Sequence, residues 1–231
     1  MREELKSSEP TRVFRFTVSE RAVHWLTALA FFSLLLSGGL LGHRGSFHNV
    51  MYVWHLTSAG ILAAGFVLIV FRGNRRALRR TARELGRLEV EDHEWVEAIP
   101  SRLLRGAPEP APTGKFNAGQ KINFIFSVFL LVVLYVSGVD AIFFGRHHNF
   151  VFGFHGLAVF LLCFIVLGHL YMAIVNRSTR PALRGIITGE VDREWAHEHY
   201  PHWAPEPVDH QLTPSEEAPI SPLLTGKEEK V

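Results

Sequence analysis

The sequence predicts an all-α integral membrane protein, a four-helix bundle with both termini in the cytoplasm. Three observations carry that prediction. The apolar residues, 48% of the 231, are gathered into four blocks, 22–41, 51–71, 122–139 and 150–175, and none of these contains Asp, Glu, Lys or Arg. Each block has about the length needed to cross a hydrocarbon layer of roughly 30 Å as a helix. The third observation is the placement of basic residues. Arg2, Lys6, Arg12, Arg15 and Arg21 precede the first block, the connection from Arg72 to Lys115 is rich in arginine, and Arg177, Arg180, Arg184 and Arg193 follow the fourth. The two short loops hold only Arg44 and Arg146. The positive-inside rule then puts both termini and the long middle connection on the cytoplasmic side.

Taken in order, residues 1–16 form a polar cytoplasmic arm, and 17–203 a four-helix transmembrane domain with helices at about 22–41, 51–71, 118–139 and 150–175. The first apolar run is too long for a signal-peptide core and no small-x-small cleavage site follows it, so it is expected to stay in the mature protein. Residues 75–88, "RRALRRTARELGRL", have a basic face suited to anionic membrane lipid. Residues 105–116 are a proline-rich approach to the third helix. Residues 204–231 are proline-rich, charged and poor in bulky apolar groups, the composition of a disordered tail. No internal repeat is visible. The formal net charge of +2 is too nearly balanced to suggest a nucleic-acid partner. A single cysteine, Cys163, excludes an intrachain disulfide, a thiolate cluster and a Cys-x-x-Cys-His haem attachment.

The chemistry lies in the histidines of the apolar blocks. Of thirteen histidines, four are there: His24, His55, His155 and His169. An imidazole in hydrocarbon is costly unless its ring nitrogens are used. Any one of them alone reads as an interfacial residue or a hydrogen bond between helices. Together they fall at two depths. His155 and His169 are fourteen positions apart on one helix, which returns to nearly the same face and separates them by roughly 21 Å. With the predicted topology, His24 matches His169 near the cytoplasmic side, and His55 matches His155 near the outer side. Two facing neutral imidazoles are a good axial set for haem iron, whereas zinc needs three or four converging ligands. Two b-type haems are the expected cofactors, with the four histidines as metal ligands and no iron position left open. The glycines near the ligands, in "SGG" (37–39), "SAG" and "AAG" (58–65) and at Gly153, Gly156 and Gly168, suit a flat porphyrin and close helix packing equally. Arg21, Lys121, Arg44 and Arg146 are the cations available to haem propionates. The loop histidines His43, His48, His147 and His148 read as solvated, and the cluster around His197, His199 and His202 as a segment able to fold back on the bundle.

Several strings in this order and spacing resemble the gamma subunit of membrane-bound formate dehydrogenases: "RFTVSERAVHWLTALAFFSLLLSG" (15–38), "HLTSAG" (55–60), "KFNAGQKINF" (115–124), the two histidines of helix four and "WAHEHYPHW" (195–203). The resemblance spans roughly residues 12–203. It implies a di-haem cytochrome b that anchors the complex in the bacterial inner membrane. Electrons would pass from a periplasmic iron-sulfur (beta) subunit to a quinone, menaquinone or ubiquinone, reduced near the cytoplasmic side. Formate oxidation itself would belong to a molybdenum or tungsten catalytic (alpha) subunit. The resemblance implies the same ligand pairs and puts the quinone motif on Asn117, Gly119 and Gln120, beside His169. Asn117 and Gln120 also read as a capping box opening helix three.

Two other readings compete. Cytochrome b subunits of membrane-bound nickel-iron hydrogenases have a similar architecture, and the haem ligands alone do not distinguish hydrogen from formate as the donor. A haem-free anchor or transporter would use polar residues only to hold helices together, but unbroken spans without charged residues argue against transport.

Overall fold

The computed structural model describes residues 11–41, 47–98, 113–144 and 149–204. The disordered tail expected from residue 205 onward, most of the proline-rich approach, and Arg44 and Arg146 lie outside the described residues, as do His43, His147 and His148.

Four helices are long and apolar enough to cross a membrane: α1 (Val18–Leu40), α2 (His48–Arg72), α5 (Ala118–Phe144) and α6 (Asn149–Leu170), the last continued by a wider π turn over Tyr171–Val175. Their polarity is arranged for an apolar solvent. Large apolar side chains such as Leu29, Phe129 and Phe164 point outward, while Ser37, Ser58 and Ser137 are buried. In hydrocarbon there is no water to satisfy polar groups, so these turn inward and find partners on neighbouring helices. Ser33 and Ser58 share a hydrogen bond of 2.8 Å between α1 and α2, and Tyr135 of α5 donates to the Ala59 carbonyl of α2 at 2.7 Å.

The helices form two antiparallel hairpins, α1 with α2 and α5 with α6, each closely packed along its length, while the spanning helices of one hairpin stay further from those of the other. Gly65 shows how tight the first hairpin is: a Cβ there would come within 2.8 Å of Leu26. Midway through the bundle, Leu130, Ala158 and Leu162 form a buried cluster on which Phe31 of α1 packs.

Helix ends differ from the sequence expectation in a consistent way. Helix one begins at Val18, earlier than 22, because Thr17 caps it and Glu20 closes a capping box, with Thr17 N–H donating to Glu20 Oε2 at 2.7 Å. Helix two begins at His48, which is therefore helical and not a loop residue; its Nδ1 lies 3.2 Å from the Leu41 carbonyl. Helix three continues to Phe144 and so contains Asp140. Apolar blocks mark the hydrocarbon layer, whereas backbone hydrogen bonding carries each helix beyond it.

On the side where the chain enters α1, shorter elements build a cap. Asn74 caps α3 (Arg75–Leu85), and α4 (Val90–Glu97) opens with a box between Glu89 and Asp92. Two ion pairs hold this layer to the bundle. Lys115 meets Glu20 at 3.3 Å, with Thr81 of α3 donating to the same carboxylate, and Lys121 of α5 meets Asp92 of α4 at 2.6 Å. Burial pulls Lys115 below the ordinary lysine range, and the Glu20 carboxylate only partly offsets it.

The chain is not helical throughout. Within the arm expected to be merely polar, β1 (Arg12–Phe14) pairs antiparallel with β2 (Glu190–Asp192), Val13 facing Val191. Between α7 (Ala182–Thr188) and β2, Gly189 turns the chain at φ 97°, where any Cβ would press on the Phe16 carbonyl at 2.9 Å. The segment with Trp195, Tyr200 and Trp203, including α8 (Arg193–His199), folds back over this ribbon. Its aromatic rings enclose the buried Arg15 guanidinium, 4.1 Å from the Tyr200 ring centre, which also donates to the Lys115 carbonyl at 2.9 Å.

Candidate functional site

The structure brings the four intramembrane histidines together two by two. His55 of α2 and His155 of α6 have ring centres 6.4 Å apart with planes inclined at 58°. His24 of α1 and His169 of α6 are 6.1 Å apart at 54°. Both couples bridge the gap between hairpins, α6 supplying one ring to each. His24 lies six residues into α1, and His169 lies six residues before the end of the π turn. His55 and His155 lie seven and six residues from the starts of their helices.

The outer couple has ordered surroundings. Ser37 Oγ lies 3.0 Å from His55 Nδ1, and Ser137 Oγ lies 2.9 Å from His155 Nδ1. The residue after each serine is glycine. A Cβ at Gly38 would sit 3.3 Å from His55 Cε1, and one at Gly138 would sit 3.8 Å from His155 Cε1. Small residues here admit the imidazole edge. At the inner couple, His24 Nδ1 is buried without a hydrogen-bond partner, and Trp25 stands edge-on to the His24 ring.

The "NAGQ" segment opens α5. Asn117 N–H donates to Gln120 Oε1 at 3.1 Å, and Gln120 N–H donates to Asn117 Oδ1 at 2.9 Å. The capping box is thus formed, and it leaves both amide nitrogens pointing away from the helix backbone. Gln120 Nε2 donates to the Tyr200 hydroxyl at 3.3 Å. Gly119 faces Trp95 of α4, whose ring edge would be 3.3 Å from a Cβ at that position. Asn117, Gly119 and Gln120 therefore sit between two aromatic residues that sequence reasoning did not single out. Trp95 carried no signal, being one tryptophan in a polar connection. Tyr200 lay in a recognised string, but nothing in the string indicated its partner.

Residues 15–189, about three quarters of the chain, match the profile of prokaryotic cytochrome b561. The chain belongs to the prokaryotic cytochrome b561 family. Among its relatives are two subunits of Escherichia coli strain K12. One is the formate dehydrogenase cytochrome b556(fdo) subunit, 28% identical over 208 residues, covering 83% of this chain and 91% of the relative. The other is the nitrate-inducible formate dehydrogenase cytochrome b556(Fdn) subunit, 28% identical over 210 residues, covering 85% and 92%. The formate dehydrogenase cytochrome b556 subunit of Haemophilus influenzae is 25% identical over 218 residues, covering 88% and 87%.

Membership of this cytochrome family implies a membrane protein with b-type haem, and the residues present fit that group. Two metal–nitrogen bonds of about 2 Å together with two imidazole radii of about 1.2 Å amount to about 6.4 Å between ring centres. The observed 6.4 and 6.1 Å match the spacing expected if one iron were held between each couple. Among the described residues no group of three or more His, Cys, Asp or Glu side chains could hold a metal ion. Of the cations considered for propionates, the two among the described residues are otherwise engaged. Arg21 donates to the Ile187 and Thr188 carbonyls, and Lys121 is paired with Asp92.

Proposed function

We propose that this cytochrome is the membrane cytochrome b subunit of a formate dehydrogenase complex. It carries electrons from a periplasmic iron-sulfur subunit, by way of two b-type haems, to a quinone reduced near the cytoplasmic side. The observation that carries the reading is the meeting of His24 with His169 and of His55 with His155 at separate levels of one bundle. The names of its relatives support formate as the ultimate donor. Its oxidation would fall to a separate molybdenum- or tungsten-containing catalytic subunit.

Haem b, when bound, supplies reversible one-electron chemistry, and the rest is the work of this chain. His55 and His155 would hold the outer group, His24 and His169 the inner. Held between two imidazoles, neither group would bind oxygen or substrate. Asn117 and Gln120 would present amide N–H groups to quinone carbonyl oxygens, with Gly119 between them making room for the Trp95 ring edge. The arginine distribution supports cytoplasmic termini in the bacterial inner membrane, with the quinone motif at the cytoplasmic start of α5. Inward electron movement against a potential negative inside then works against about 2.3 kcal/mol per electron per 100 mV for full transit, which helps charge the membrane.

The test is a pyridine haemochrome assay on the purified chain, with identification of co-purifying subunits. Two haem b per chain and a formate-oxidising partner are expected. A colourless, well-folded preparation would sink the cytochrome assignment, and a nickel-iron partner would replace formate by hydrogen as the donor.

A further inference from the structure

The two halves of the outer site repeat each other. Ser37 stands eighteen residues before His55, and Ser137 eighteen before His155. Each serine lies in about the last two turns of one helix of a hairpin and faces the histidine in about the first two turns of the next. Ser37 Oγ also lies 2.8 Å from the Ser33 carbonyl and 3.2 Å from that of Leu34, and Ser137 Oγ lies 2.6 Å from Val133 and 3.2 Å from Leu134. A glycine follows each serine and lies beside the ring, closely at Gly38 and at ordinary contact distance at Gly138. The sequence therefore does contain a repeat, Ser-Gly followed by a histidine, invisible among apolar residues until the hairpins are superposed.

Hydrogen-bond accounting favours one tautomer. A hydroxyl has one proton, and carbonyl oxygens only accept. With each serine proton given to the carbonyl four residues back in its own helix, the serine oxygen turns a lone pair toward the imidazole and Nδ1–H is the matching donor, which leaves the Nε2 lone pair directed elsewhere. Ser37 is 0% exposed and Ser137 3%, so water does not compete. The inner couple lacks this device, since His24 Nδ1 is buried without a partner.

We propose that Ser37 and Ser137 are paired positioning residues that fix the Nδ1–H tautomer of His55 and His155 and lower the reduction potential of the outer haem relative to the inner one. This rests on the di-haem reading above. An acceptor drawing on Nδ1–H makes Nε2 a stronger donor, which favours oxidised over reduced iron. An electron leaving the outer iron for the inner iron then moves downhill. No proton accompanies it, because Nδ1–H is kept in both oxidation states.

Serine bonding back to its own helix is common in membrane spans and by itself is only structural. The deciding experiment is a redox titration of the haem-loaded cytochrome, wild type against Ser37→Ala, Ser137→Ala and the double variant, with haem counted by pyridine haemochrome. Each single change is expected to raise the outer potential by about 30 mV, a threefold shift in the oxidised-to-reduced ratio, and the double change by about 59 mV, a tenfold shift. The inner potential should not move. Two haems with an unmoved outer potential, or equal movement at both sites, overturns the proposal and leaves the di-haem reading intact. A wild-type chain without a haem at His55 and His155 overturns both. Should the double variant lose its outer haem, the single variants decide by the same potentials.

Discussion

Gln120, in the first turn of α5, donates from Nε2 to the hydroxyl of Tyr200, 3.3 Å away in space and eighty residues away in the chain. Tyr200 is buried and packs against the Arg15 guanidinium. The returning segment thus touches the candidate quinone motif directly and orients the amide that would meet a quinone carbonyl. Tyr200→Phe keeps the ring and the Arg15 contact but deletes the hydroxyl. It should raise the KM for quinone several-fold with both haem spectra unchanged. Gln120→Ala should go further and reduce turnover by roughly tenfold, the loss expected for about 1.4 kcal/mol of binding. Steady-state quinone reduction beside dithionite-reduced spectra checks both, and normal turnover in Gln120→Ala would remove it from the site.

The two histidine couples should be separable. His155→Ala should remove the outer haem and spare the inner one, and His169→Ala the reverse. Each variant should retain one haem b per chain in the pyridine haemochrome assay. Loss of the inner signal in His155→Ala would show that the couples are wrongly drawn.

Gly38 offers a steric test of the same site from the opposite hairpin strand. Its missing Cβ is only 3.3 Å from His55 Cε1, so Gly38→Leu forces the ring aside. Outer-haem content should fall while the inner haem is kept. The open position at Gly39, where a Cβ would meet nothing within 4 Å, provides the control: Gly39→Leu should leave both haems in place.

The buried pair between Lys115 and Glu20 makes a prediction about stability. Lys115→Met leaves the Glu20 carboxylate enclosed with no cation beside it, only its Thr17 and Thr81 donors, at a cost of about 3–5 kcal/mol, and adding Glu20→Gln should recover much of it. The sign with pH follows from burial. The folded chain releases the Lys115 proton at a lower pH than the unfolded chain, whose lysine keeps the ordinary value of about 10.5. Between the depressed value and 10.5 the unfolded state binds more protons, so this group's contribution to stability rises with pH. Below that window its burial cost is constant. Denaturant unfolding in detergent should show an alkaline rise in wild type relative to Lys115→Met.

Much of this molecule was legible from residue order because lipid imposes one-dimensional rules. Every backbone polar group must be satisfied within the segment, so an apolar block of about twenty residues becomes a helix, and position along it becomes depth. That is why His24 could be matched with His169 and His55 with His155 before any fold was known. Depth says nothing about rotation around the helix axis or about which neighbour stands beside it. The serine behind each outer histidine, Trp95 against Gly119 and the hydroxyl of Tyr200 at Gln120 all depend on lateral placement. So do Glu20 and Asp92, charges that look like solvated helix ends in the sequence and are buried partners of Lys115 and Lys121 in the structure.

The sequence by itself determined the solvent, the number of spans, their depth register and the residue types able to ligate iron, because hydropathy and helical rise are properties of a single chain segment. Only the tertiary structure decided which hydroxyl stands beside His55 and His155, which cations are already engaged and what encloses the amides at the start of α5. Those depend on hydrogen bonds and ion pairs between segments up to 167 residues apart, and such partners are chosen by how helices pack.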